Sequence, residues 1–173
     1  MQETDEIPEN KLKKGIIVII AIFLILLTLT YLLTNPTVRH VIAGLVESSK
    51  LEGNKLTSRD DIIITFTPEV LKRLNQLHNQ NKEKEFKACL SGIIKGNEYK
   101  IDSIYEPIIF LQEYNQVISE PCNKETLVDL HSHPLQHCLP SEQDIKSFNK
   151  FKETNPKALM IIMCEENRFN IYS

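Results

Sequence analysis

The chain has 173 residues, a formal net charge of −3, 25% charged residues and 42% apolar residues. This length suits one ordinary domain with an accessory segment, and the composition is that of a foldable chain. The basic residues are scattered and the net charge is negative, whereas nucleic-acid binding favours a clustered basic face. A nucleic-acid partner is therefore not expected.

The N-terminal part of the chain predicts a membrane anchor. Residues 1–14 form a short polar tail, and residues 15–33 (GIIVIIAIFLILLTLTYLL) carry no charge. At ~1.5 Å per residue, such a helix spans roughly the 30 Å hydrocarbon core of a bilayer. A cleaved signal peptide is the alternative. The apolar run is longer than a typical h-region, however, and no A-x-A-like cleavage site follows it.

Lysine and arginine near the ends of this helix predict its orientation. Lys11, Lys13 and Lys14 precede the apolar run, and Arg39 is the close basic residue after it. Basic residues are enriched in cytoplasmic loops. The N-terminus is therefore predicted to be cytoplasmic, and the C-terminal domain to lie on the outer face of the membrane.

Residues 34–60 are predicted to connect the helix to a soluble domain. Within them, residues 38–49 suit a short amphipathic helix near the membrane surface. Residues 48–60 (SSKLEGNKLTSRD) are polar and rich in turn formers, which is typical of a flexible linker. The folded domain is therefore expected over residues 61–173.

This domain is predicted to mix strands and helices. Apolar and β-branched runs predict strands at 62–66, 86–94, 99–105, 126–131, 158–164 and 168–172. Helices are predicted to begin at Pro68, after the N-cap Thr67, and after Ser141. Residues 107–125 suggest an irregular surface insertion. The fold class is therefore α/β, or α+β, with a mixed sheet and flanking helices.

The strongest chemical signal is H-S-H-P over residues 131–134, followed by S-x-x-D over residues 141–144. Residues two apart on a strand face the same way, so His131 and His133 can point at one metal. Asp144, in the first turn of the next helix, can face back toward the strand end. Two imidazoles and one carboxylate leave a fourth position open, which is the pattern of catalytic zinc.

Each part of this pattern also has a simpler explanation. Two histidines can be surface residues, and Ser141 with Asp144 fits a helix capping box. A purely structural zinc, with Cys138 as a fourth ligand, would close the coordination sphere and abolish hydrolysis. The whole string H-S-H-P-x6-S-x-x-D is much harder to explain by chance, so a metal centre is predicted.

The same string resembles the signature of the JAMM metallopeptidases, the catalytic branch of the MPN domains. That signature has an upstream E-x-x-[GA]-x-L-x-G element, then H-[ST]-H-P, then S-x-x-D. Residues 85–92 (EFKACLSG) match the upstream element at every fixed position. The resemblance covers roughly residues 62–173 and implies an MPN-like fold.

The resemblance implies a role for each motif residue. His131, His133 and Asp144 would hold zinc. Glu85 would take a proton from the attacking water and pass it to the leaving amine, and Ser141 would donate a hydrogen bond to the oxyanion. Without the resemblance, Glu85 would be read as a solvated charge in the stretch NKEKEFK.

The leading interpretation is a membrane-anchored zinc metallopeptidase that cuts a peptide or isopeptide bond in a protein or peptide. A conjugate of a ubiquitin-like modifier is one such substrate, although an outward-facing domain would be separated from cytoplasmic conjugates. The alternative is a membrane-tethered, non-enzymatic zinc-binding or interaction module. Relatives that became scaffolds usually lose ligands, and here all five motif positions are present.

Four cysteines remain: Cys89, Cys122, Cys138 and Cys164. Cys138 lies in the loop before Asp144, and Cys164 ends a predicted buried strand. If that strand packs beside the site, the two could form a disulfide that pins the metal loop. Compact members of the family often carry cysteines at comparable places, which supports this pairing. Two free thiols are the alternative.

The other two cysteines are less informative. Cys89 is expected to pack in the core, and the sequence does not place Cys122.

Overall fold

The computed structural model of the protein describes residues 11–114, 116–134 and 138–173. The chain divides into two compact units, Met1–Arg39 and His40–Ser173. The helices are α1 (Lys11–Thr34), α2 (Pro36–Glu47), α3 (Pro68–Gln80) and α4 (Glu142–Thr154). The strands are β1 (Ser49–Lys50), β2 (Lys55–Thr57), β3 (Ile63–Phe66), β4 (Lys87–Lys95), β5 (Glu98–Tyr105), β6 (Ile109–Gln112), β7 (Val117–Ser119), β8 (Val128–Ser132), β9 (Leu159–Glu165) and β10 (Arg168–Tyr172).

The first unit is dominated by α1. Its stretch Lys13–Thr34 is long and apolar enough to cross a membrane, and none of that stretch is buried within the structure. Thr28 and Thr30 donate their hydroxyls to backbone carbonyl oxygens one turn earlier, at 2.8 and 2.7 Å. These polar groups are therefore satisfied inside the helix, as a hydrocarbon environment requires. The prediction of one long apolar helix is confirmed.

The second unit is built on an eight-stranded sheet with the order β1-β10-β9-β8-β4-β5-β3-β2. The pairs β3–β5 and β8–β9 are parallel, and the other neighbouring strands are antiparallel. The predicted class, an α/β fold with a mixed sheet and flanking helices, is confirmed. Strand β8 carries His131, and Glu85 lies just before β4. These two neighbouring strands lie at the centre of the sheet.

Helix α3 packs into the main core of this unit. The Thr67 side chain accepts a hydrogen bond from the Val70 amide, and a proline follows the N-cap, so the local sequence starts the helix where predicted. Val70, Leu74 and Leu77 recur at helical spacing and are buried. Each such side chain contributes roughly 1.5–3 kcal/mol relative to an exposed position.

Strand β9 is buried on both faces, which explains its continuous apolar sequence. Leu159, Ile161 and Met163 belong to the main core. Met160 belongs to a second, smaller apolar cluster with Phe148 of α4. Helix α4 therefore packs on the face of the eight-stranded sheet opposite the main core. His131 of β8 lies on this same face.

The predicted flexible linker over residues 48–60 differs from the structure. Strand β1 pairs with β10, and β2 pairs with β3, so this segment supplies strands at both edges of the sheet. Gly53, with φ of +63°, lies in the turn between them, and Leu56 is fully buried. Short, polar edge strands are easily read as linkers, because only one inward side chain marks them.

The predicted irregular insertion over residues 107–125 also differs, because it contains the antiparallel pair β6–β7. All residues of β6 except Gln112 are exposed, so the sequence lacks the alternation of a strand with one buried face. Cys122, near the end of this segment, forms a disulfide with Cys89 of β4. Cys89 is buried as expected, but it is bonded rather than a free core thiol.

Candidate metal centre

The two histidines of the signature lie at the C-terminal end of β8. His131 and His133 are both buried and face the same side, because strand side chains alternate. Ser132 between them points the other way, where its Oγ accepts a hydrogen bond from the Phe86 amide at 3.0 Å. The Ser132 amide donates back to the Phe86 carbonyl at 2.9 Å, so β8 is tied to the segment that carries Glu85.

Asp144 lies in the first turn of α4 and meets both imidazoles with one oxygen. Its Oδ2 is 3.5 Å from His131 Nε2 and 3.3 Å from His133 Nε2. In a tetrahedral zinc site with bonds of about 2.0–2.1 Å, ligand atoms are roughly 3.3–3.4 Å apart. The His–His–Asp group, whose ligand atoms all lie within 4.8 Å of one another, could therefore hold one metal ion.

The surroundings of one nitrogen in this group also fit metal binding. His131 Nε2 is buried and has no hydrogen-bond partner among the described residues. An unsatisfied buried polar atom costs about 1–3 kcal/mol. Coordination to a metal would give this lone pair a partner, so the residues present fit a metal ion.

Asp144 combines the capping role and the ligand position. Its Oδ2 accepts hydrogen bonds from the Ser141 amide and the Ser141 hydroxyl, both at 2.7 Å. The Asp144 amide donates to Ser141 Oγ at 3.1 Å, which completes the capping box. Burial acts to raise the pKa of Asp144, but His131, His133 and the Ser141 hydroxyl outweigh it and hold that pKa well below its usual range. The carboxylate is therefore ionised, as a ligand must be.

Glu85 lies beside this group, just before β4. Its Oε1 is 3.6 Å from His133 Nε2, and its side chain is only 7% exposed. The Glu85 amide donates to the Glu113 carbonyl at 3.0 Å, and Gln112 Nε2 donates to the Glu85 carbonyl at 2.9 Å. The β6–β7 insertion therefore holds the backbone of Glu85 on both sides. Gln112 carried no signal in the sequence that could have marked it as a positioning residue.

The environment of Glu85 changes its acidity. Burial raises the pKa of Glu85 to about 7, His133 acts to lower it, and Asp144 acts to raise it. A carboxyl group that titrates near neutral pH can both accept and deliver a proton under physiological conditions. This property is unusual for a surface glutamate, which is how the isolated stretch NKEKEFK would be read.

We predict that Glu85 makes the metal-free protein less stable as the pH rises from about 5 to 8. In the folded state the pKa of Glu85 is about 7, whereas the ordinary value of 4.5 applies in the unfolded chain. The folded state thus binds more protons than the unfolded state in this window, so the free energy of unfolding falls, by up to about 3 kcal/mol.

Urea unfolding in the presence of a chelator, at pH 5 and pH 8, tests this prediction against a Glu85→Gln variant, which cannot titrate. We expect the variant to gain stability relative to the parent as the pH rises. An equal difference between the two proteins at both pH values would show that Glu85 titrates in its ordinary range.

The loop between the histidines and Asp144 is anchored at Cys138. Cys138 forms a disulfide with Cys164 at the end of β9, which confirms the predicted pairing and excludes free thiols. The Cys138 carbonyl accepts a hydrogen bond from Asn170 Nδ2 at 2.9 Å. Gly44 of α2 lies so close that an added Cβ would be 3.0 Å from the Cys138 Cβ. A sulfur in a disulfide is not a thiolate, so the structure does not offer Cys138 as a fourth ligand.

These observations define an α/β domain with a candidate His–His–Asp metal centre at the end of a central strand. No protein-family model matches the chain, and no curated protein matches it either. Among solved structures, the crystal structure of a JAB1/MPN domain protein from Archaeoglobus fulgidus is similar to this chain. The two share 25% sequence identity with a TM-score of 0.43, over 62% of this chain and 87% of the other. The function is therefore inferred from the residues of the site.

Proposed function

We propose that this chain is a membrane-anchored zinc metallopeptidase of the JAMM type, which hydrolyses a peptide or isopeptide bond. One observation carries the proposal: His131, His133 and Asp144 converge on a common point, and the buried Glu85 lies 3.6 Å from His133. A purely structural metal site would not need a titratable carboxyl group beside its three ligands. This arrangement supports catalysis over simple metal storage.

Two imidazoles and one carboxylate form a donor set typical of catalytic zinc, in which a position remains for water or substrate. When bound, zinc would polarise the scissile carbonyl and supply a water whose pKa is lowered to about 7. The protein holds its ligands on regular elements, since His131 lies in the central strand β8 and Asp144 is fixed by its capping box.

The remaining chemistry falls to Glu85 and Ser141. Glu85 would accept a proton from the attacking water and deliver it to the leaving nitrogen, a role that its pKa of about 7 suits. Ser141 would donate its hydroxyl hydrogen to the oxyanion of the tetrahedral intermediate. The Ser141 hydroxyl lies at the edge of the same site and donates its hydrogen to Asp144 Oδ2 at 2.7 Å, so in this role it would turn from Asp144 to the oxyanion.

We also propose that α1 anchors the protein in a membrane, with the N-terminus in the cytoplasm and the domain outside. The lysines before the helix favour this orientation. The two disulfides of the second unit give independent support, because such bonds persist mainly in oxidising compartments. This location favours a protein or peptide substrate outside the cytoplasm over a conjugate of a ubiquitin-like modifier.

The metal content of the purified full-length protein in non-ionic detergent tests the proposal. We expect one zinc ion per chain in the parent protein and none in a His131→Ala variant, since two protein ligands hold zinc much more weakly than three. A His40→Ala variant, which removes an exposed histidine outside the site, should keep its zinc. A folded parent that binds no metal would instead support the membrane-tethered interaction module.

A further inference from the structure

A groove of about 570 Å³ runs beside the metal centre, between the β7 segment and α4. Lys87, Asp129 and Gln143 line this groove and also the small cleft that contains His131 and Asp144. The groove is therefore continuous with the candidate metal centre. Its volume is in the range of about 300–1,000 Å³ that is typical of ligand sites.

The floor of this groove carries an incompletely paired carboxylate. Asp129 precedes His131 by two residues on β8, so both side chains face the same side of the sheet. Asp129 is 7% exposed, and its Oδ2 accepts a hydrogen bond from Lys87 Nζ at 3.0 Å. Its Oδ1 is buried and has no hydrogen-bond partner among the described residues.

A buried carboxylate oxygen without a hydrogen-bond donor is costly. The unpartnered Asp129 Oδ1 therefore indicates a donor that arrives with a ligand. Two residues of an extended strand cover about 7 Å. A peptide that runs along β8 from the metal would therefore bring a backbone amide to Asp129 within about two residues of the bond being cut. The geometry thus suits a polypeptide in extended conformation.

The charge of the groove is positive away from this pair. Lys124 and Lys150 also line it, and Asp129, the one acidic residue in the described part of its lining, is already paired with Lys87. Among the described residues, no carboxylate forms an ion pair with Lys124 or Lys150. Two uncompensated ammonium groups along a groove attract an acidic ligand and disfavour a basic one.

We propose that this groove binds an extended, acidic segment of the substrate polypeptide. Asp129 accepts a backbone N–H close to the scissile bond, and Lys124 and Lys150 bind acidic side chains further along the segment. Apolar lining residues such as Val117 and Phe151 pack against the aliphatic parts of the chain. This inference rests on the proposed peptidase function, whose substrate class it specifies.

Binding of a fluorescein-labelled, glutamate-rich peptide tests the charge preference, with a lysine-rich peptide of equal length as the comparison. Fluorescence anisotropy is measured on the full-length protein in non-ionic detergent, in a Glu85→Gln background that prevents cleavage. We expect the acidic peptide to bind more tightly. A Lys124→Glu/Lys150→Glu variant should weaken its binding by roughly tenfold at low salt and favour the basic peptide.

A Lys72→Glu/Lys95→Glu variant is the matched control, because it changes the net charge equally at two exposed lysines outside the groove. If both double variants weaken binding alike, the effect is one of overall charge and the proposed groove is wrong. Equal affinity of the parent for the acidic and basic peptides would also overturn it.

The Asp129 contact is tested with a Lys87→Met/Asp129→Leu variant, which removes both charges at once so that neither is left buried and unpaired. Thermal unfolding and zinc content verify that the variant folds. We expect affinity for the acidic peptide to fall by about threefold to tenfold, the usual weight of one hydrogen bond. Unchanged affinity in the folded variant would remove Asp129 from the peptide contact.

The two proposals fail in different ways. If the parent cuts peptides without regard to their charge, the groove inference is wrong and the peptidase function stands. If the acidic peptide binds through Lys124 and Lys150 but the metal-loaded parent cuts no peptide, the groove stands and the peptidase function is wrong.

Discussion

A Glu85→Gln variant is expected to lose hydrolytic activity while it keeps its metal. Glutamine has nearly the same shape but cannot accept a proton, and removal of a general base typically costs 10²–10⁴-fold in rate. Glu85 is not one of the three residues whose ligand atoms converge. Its backbone contacts with Glu113 and Gln112 do not depend on the side chain, so the site should keep its structure.

The measurement pairs zinc content with cleavage of a library of quenched fluorescent peptides at pH 7. A Glu83→Gln variant is the matched control, because Glu83 is an exposed acid two residues away in the same segment. We expect the control to cleave like the parent. Turnover by the Glu85→Gln variant that equals the parent rate would remove Glu85 from the mechanism, and loss of zinc would make it a ligand.

A Cys138→Ser/Cys164→Ser variant is expected to lose both stability and metal affinity. The disulfide joins residues separated by 26 positions, and a loop of that size contributes roughly 3–4 kcal/mol in the chain-entropy account. The bond also fixes Cys138, which lies between the histidines and Asp144 in the sequence. Without it, forming the metal site would require the segment from Cys138 to Asp144 to be ordered, so the zinc dissociation constant should rise by at least about tenfold.

A Cys89→Ser/Cys122→Ser variant separates these two effects. This disulfide has a similar separation of 33 positions, so its loss should cost a similar amount of stability. It anchors the end of the insertion and not the metal loop, so zinc affinity should stay close to that of the parent. Urea unfolding and competition with a chromogenic chelator measure both quantities. Equal zinc affinity in the two double variants would show that the Cys138–Cys164 bond does not organise the metal centre.

The signature residues are a case in which local sequence carries most of the geometry. His131 and His133 face the same way because a strand has a period of two, and Ser141 with Asp144 starts a helix because it forms a capping box. Both rules act within a few residues, so they can be read without knowledge of the fold. The sequence also presented capping and metal binding as alternatives, whereas the structure shows that one carboxylate oxygen serves the cap and faces both imidazoles.

Segments 48–60 and 107–125 are the opposite case. Segment 107–125 looked irregular because β6 is exposed apart from Gln112 and therefore lacks a buried, alternating face. The strands β1 and β2 looked like a linker because they are short, polar edge strands. Strand β1 pairs with the distant β10, and the insertion is tied to Glu85 through Gln112 and to Cys89 through Cys122. No local sequence pattern reports such contacts.

By itself, the sequence determined the long apolar helix, the mixed α/β class, and the two histidines and one aspartate that could share a metal. These features follow from hydropathy, residue periodicity and capping, which are local properties of the chain. Only the tertiary structure decided that Glu85 is buried next to His133, that Cys89 bonds to Cys122, and that Lys87 and Asp129 line a groove beside the centre. Each of these depends on which strands are neighbours in the sheet, and that arrangement is chosen by the packing of the whole domain.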